Sequence, residues 1–189
     1  MLVCVLAGGC GSSGAGPSSG AVSSGPSPSS PGGSAAQEDS AAQEDSAAQE
    51  ELYAEAERVY RAYFELEQQA FLEGGVNGVP VQMNDYIMGW YAQSEASILQ
   101  QMVDRQVRMK EGTRSEYRIM RETPEDPPSD SLISLTICID STMSPLVDAS
   151  GESVSSGYDN GGVFFKYDVD DKLKIFSSRE KAVDSCAEE

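Results

Sequence analysis

A chain of 189 residues with 31 acidic side chains, 13 basic ones and no histidine carries a formal charge of −18. That charge repels phosphate backbones and anionic headgroups, which excludes nucleic acid as a partner, and the missing histidine excludes Ser-His-Asp triads and His-Asp acid–base pairs. The residues are unevenly spread: positions 1–50 hold five acids, no base and no aromatic side chain. One folded α+β domain with a proper core is therefore expected over 46–189.

Residues 1–9 are uncharged and apolar, and Leu6-Ala7-Gly8-Gly9-Cys10 resembles a bacterial lipobox. The resemblance implies a lipoprotein signal peptide at 1–9, cleavage before Cys10 and a lipid on the Cys10 thiol. It places the protein at the outer face of the cytoplasmic membrane, in the cell envelope. No Lys or Arg precedes Arg58, so the basic opening of a signal is expected upstream of Met1. The apolar run is far short of the ~20 residues that span a bilayer, which leaves the lipid anchor as the means of holding the membrane.

From 11 to 34 the chain is almost entirely Gly, Ser, Pro and Ala, with nothing to bury, and reads as a disordered tether. The unit Ser-Ala-Ala-Gln-Glu-Asp then recurs from Ser34 and Ser40, with a variant from Ser46. The first two copies read as acidic spacer, which gives a linker over 10–45. In the third, Ser46 can cap a helix with Gln49 in the capping-box position.

That helix is predicted over 46–73. Leu52, Ala56, Val59, Tyr63, Leu66 and Ala70 fall on one face and Glu55, Glu57, Arg58, Arg61 and Glu65 elsewhere, until Gly74-Gly75 ends it. A short helical piece at 85–88 and a second long helix at 90–110 follow, the latter with Ile98, Leu99, Met102 and Val103 inward. From residue 113 the period becomes two. Strands are predicted at 117–121 and 132–140, where Ile133, Leu135, Ile137 and Ile139 share one face while Ser134, Thr136 and Cys138 share the other. A strand at Leu146-Val147 and a hairpin of 162–169 with 173–176 complete the sheet.

Cys4 would leave with the signal and Cys10 would carry the lipid. Cys138 and Cys186 then remain to pair in an oxidising compartment, the alternative being two free thiols. Without histidine their spacing matches no zinc pattern, so neither metal nor cofactor is expected. Asp168-Val169-Asp170-Asp171 and the stretch 148–152 lack the spacing of a calcium loop and read as turns.

Helices first and an antiparallel sheet afterwards form an α+β order similar to the NTF2-like (SnoaL-like, cystatin-like) cone of secreted actinobacterial lipoproteins. The likeness rests on Cys138-Ile139-Asp140-Ser141, Val147-Asp148-Ala149-Ser150-Gly151, Leu173-Lys174-Ile175 and Cys186, and covers residues 51–187. It implies two to three helices on a curved antiparallel sheet, with a pocket between. Tyr60, Tyr63, Phe64, Met83, Tyr86, Trp90 and Tyr91 would wall that pocket or fill it as core. A steroid-isomerase-like site needs a carboxylate base near a hydrogen-bond donor. Asp85 beside Tyr86 is the candidate, the alternative being a helix cap.

The expected function is a non-catalytic binding module for a protein partner of the envelope. Binding of a small apolar ligand stands second, and an isomerase- or dehydratase-like enzyme third. Each needs a different feature: an exposed apolar patch, an open cavity of a few hundred Å³, or an enclosed carboxylate with a raised pKa.

Overall fold

The computed structural model describes residues 35–186, with side chains from residue 46 onward. Cys10, the signal at 1–9 and the tether at 11–34 lie outside the described residues.

Helix α1 spans Ala35–Glu73. It thus begins in the first repeat rather than near Ser46, because Ala, Gln and Glu are strong helix formers and the repeat contains no breaker. Its buried face carries Ala56, Val59, Tyr60, Tyr63, Phe64 and Ala70, so Tyr60 and Phe64 widen the expected stripe. The helix stops where Gly75 donates its N–H to the Ala70 carbonyl, 2.8 Å away. Gly75 has φ +81°, and a Cβ there would lie 2.1 Å from the Leu99 carbonyl oxygen, so this contact between the helices requires glycine.

The expected helical piece at 85–88 is instead a 3₁₀ turn at Val81–Asp85, after which Ile87 bridges to Ile175. Helix α2 spans Gly89–Arg105, shorter than the expected 90–110. Gln106 takes a left-handed conformation and donates its N–H back to Met102 and Val103. The chain beyond becomes strand β1, Arg108–Met109. Tyr91, Glu95, Leu99 and Met102 form the buried face of α2, whereas Ile98 is 43 % and Val103 37 % exposed. Leu99 and Met102 are inward as expected, whereas Ile98 and Val103 are not, because the buried stripe runs through Tyr91, Glu95, Leu99 and Met102 and leaves those two beside it.

The other strands are β2 (Glu116–Met120), β3 (Ile133–Asp140), β4 (Leu146–Val147), β5 (Ser153–Ser155), β6 (Tyr158–Tyr167) and β7 (Leu173–Val183). They form two antiparallel sheets, ordered β1-β4-β5 and β2-β3-β6-β7. The hairpin strands run longer than the expected 162–169 and 173–176, with a bulge between Phe164 and Phe165.

Ile133, Leu135, Ile137, Val163, Phe165, Leu173 and Ile175 meet the two helices in one core. The opposite face of the larger sheet is also covered. Phe164 is buried there, the Arg179 guanidinium lies 5.8 Å from its ring centre, and Arg179 reaches the Asp126 carbonyl. A Cβ at Gly162 would approach Pro124 to 2.6 Å, so the 121–131 loop lies directly on this face. Cys138 lies on the same side and is bonded to Cys186 (S–S 2.06 Å), as the alternation along β3 predicted.

Candidate functional site

Of the seven aromatic and apolar residues expected to wall a pocket, Tyr60, Tyr63, Phe64, Met83 and Tyr91 are buried in the core. Tyr86 is half-buried against it. Trp90 stands 64 % exposed, because its neighbour Tyr91 takes the inward position and adjacent helical residues point about 100° apart. The inward rings pack on one another: Tyr63 meets Tyr91 edge-on with centroids 5.6 Å apart, and Tyr60 lies 6.0 Å from Phe64.

The polar tips of these rings converge on two carboxyls that the sequence reading did not single out. The Tyr63 hydroxyl lies 2.5 Å from Glu67 Oε1 and 3.0 Å from Glu95 Oε2, and it accepts a hydrogen bond from the Tyr91 hydroxyl at 3.1 Å. Glu67 is one turn along α1 from Tyr63, and Glu95 one turn along α2 from Tyr91, so each helix contributes one tyrosine and one glutamate. Glu95 is 3 % exposed, and its Oε1 is buried without a hydrogen-bond partner.

Burial pushes the Glu95 carboxyl up from 4.5 to about 7, a rise that the Tyr63 hydroxyl opposes and the Glu180 charge reinforces. Burial also raises Glu67 well above the usual carboxylate range, and the Glu95 charge adds to it. Glu180, on β7, is raised by desolvation and by Asp159. Glu180 as a whole is exposed, so it marks the solvent side of the cluster while Glu95 is its closed end. Among the described residues, the groups named as bearing on these three carboxyls include no Lys or Arg.

The other expected sites fare differently. Asp85 is exposed and pairs loosely with Lys172, 3.7 Å away, so it lacks the burial that would raise a catalytic carboxyl. Asp168 accepts the N–H groups of Asp170 and Lys172 at 2.8 and 3.0 Å and pairs with Lys174 at 2.8 Å, contacts that hold its carboxyl down at about 2. Asp148 ties its own turn through Ser150 and Glu152. Both segments are turns, and no metal-holding group of three His, Cys, Asp or Glu occurs among the described residues.

An open apolar groove lies between α2 and the smaller sheet. It encloses about 430 Å³ and is lined by Ile98, Met102, Val107, Leu146 and Val154, with Arg105 and Asp148 supplying one charge of each sign. Strand β5 ends the order β1-β4-β5, and Val154 at its centre is 52 % exposed.

No protein-family model matches the chain, and no curated protein matches it significantly.

The spacing alone offers a faint signal for these acids: Glu67 follows Tyr63, and Glu95 follows Tyr91, by four residues, one helical turn along the same face. Chemically the cluster can hold, share and release a proton. The groove can take an extended apolar segment.

Proposed function

We propose that this is a lipid-anchored protein of the cell envelope whose NTF2-like domain is a non-catalytic binding module for a protein partner. The partner presents an extended, apolar, uncharged or basic segment that adds to the free edge of β5 and seats side chains beside α2. The observation that carries this reading is the pairing of that edge strand with the apolar groove next to it. Edge strands offer unpaired backbone groups that template another strand, and a net charge of −18 favours a partner without acids.

Capture of a small apolar ligand has less support, because Tyr60, Tyr63, Phe64, Met83 and Tyr91 pack into the core. An isomerase- or dehydratase-like enzyme would have to work through Glu95 and Tyr63, and the α2 groove is lined by other residues.

Site-specific photocrosslinking in intact envelopes tests the proposal. A photoreactive residue at Val154 gives a discrete adduct that Ile98→Asp in the same chain abolishes, while the same probe at Val169, on the β6–β7 turn, gives none. No adduct from position 154, or one shared by both positions, removes the reading.

A further inference from the structure

The Tyr63 hydroxyl has one proton and two carboxyl neighbours at hydrogen-bond distance, Glu67 Oε1 at 2.5 Å and Glu95 Oε2 at 3.0 Å. It can donate to one of them. The other contact is a hydrogen bond if that carboxyl carries a proton of its own; without it, two lone pairs face each other, at the Glu95 contact in a buried place. The Tyr91 hydroxyl cannot supply this proton, since its own is directed at the Tyr63 oxygen. Glu67 and Tyr63 belong to α1, Glu95 and Tyr91 to α2.

We propose that one proton shared among Glu67, Tyr63 and Glu95 latches α1 to α2, and that its release loosens this contact, making the helix pair a pH-sensitive device.

Burial and the facing charges argue in the same direction, and the Tyr63 hydrogen bond alone opposes them at Glu67 and Glu95. From α1 the cluster sees Tyr60, Tyr63 and Glu67, and from α2 Tyr91 and Glu95; β7 presents Glu180, which itself feels Asp159 of β6. The charged members of this set are all carboxylates, so none of them compensates a lost proton. The unpartnered, buried Oε1 of Glu95 is the atom on which a second negative charge would be least tolerated.

The sign follows from proton counting. An unfolded glutamate releases its proton near 4.5, whereas folded Glu95 holds it to about 7. Between those values the folded state binds more protons, so stability falls as pH rises; above about 7 this group adds no further change.

Urea denaturation of the full chain at pH values between about 4 and 8, with the disulfide intact, tests the latch. Wild type is expected to lose stability across that window, by on the order of a hundredfold in the folding equilibrium from this group. Glu95→Gln keeps the shape and cannot ionise, so its profile flattens. Glu111→Gln removes the same charge from an exposed position and serves as control, because the general acidity of the surface also penalises high pH. A Glu95→Gln profile no flatter than that of the control overturns the proposal. Should Glu95→Gln fail to fold, carbon NMR titration of the wild-type glutamate carboxyls decides. At least one carboxyl titrating near 7 supports the latch, and all titrating in the ordinary range overturns it.

Discussion

Tyr63 is the residue through which two helices and two acids communicate. Its ring is core, one face of a packed aromatic pair with Tyr91, and its hydroxyl is the hub of the polar cluster. Tyr63→Phe preserves the ring and strands both carboxyls. Removing one partner of a buried polar group typically costs about 1–3 kcal/mol, and that is the loss expected in urea denaturation at pH 6. Tyr91→Phe removes a single donor from an oxygen that keeps its carboxyl contacts, so its loss should be smaller, about 1 kcal/mol. The reverse order would mean that Tyr91, not Tyr63, holds the cluster. By contrast the exposed pair of Arg121 with Glu50 is screened by water, and Glu50→Ala should shift the urea midpoint little.

At the scale of elements, the seam between the end of α1 and the body of α2 is set by Gly75. A Cβ there meets the Leu99 carbonyl oxygen at 2.1 Å and the Met102 Cβ at 2.9 Å, on a backbone with φ +81°. Neither the carbonyl nor the backbone conformation can yield cheaply, so Gly75→Ala should destabilise by roughly 2 kcal/mol or more, measured by thermal or urea unfolding. Gly78→Ala, at φ +89° with open space around it, separates the conformational cost from the clash. How far the elements could be read from sequence depended on their pattern. The alternation of Ile133, Leu135 and Ile137 was readable because all three are buried on one face. The register of α2 was readable only in part: Leu99 and Met102 are buried, but Glu95 occupies the same stripe and the conspicuous Ile98 and Val103 flank it. Strand β1 is two residues long, too short for any period to show, and looked like the tail of a helix. In the candidate site the aromatic residues were readable as inward, while Glu67 and Glu95 were not, since acids are rarely placed in a core unless something neutralises them.

Across the whole molecule the larger sheet separates two stabilising devices. On its inner side the helices are joined through the proton shared at Glu67, Tyr63 and Glu95; on its outer side Cys138 is tied to Cys186 across a separation of 48 residues. The cysteine pairing was readable from counting residues, whereas the inner contact needed the positions of three elements at once. The two devices should act independently, because they sit on opposite sides of β3. Closing a loop of that size restricts the unfolded chain by about 4 kcal/mol at most, and that restriction does not depend on pH over the range where the disulfide persists. Replacing both cysteines by serine should therefore lower the whole stability profile by up to this amount without changing its shape. Adding Glu95→Gln to the serine pair should flatten the profile as it does in the wild-type background, with the two effects summing to within about 0.5 kcal/mol. A larger departure would mean that the sheet transmits strain between its faces, so that the outer covering helps to set the geometry of the inner cluster. In that case reduction of the disulfide should move the pH at which stability is lost, and denaturation series run with and without reductant would reveal the shift.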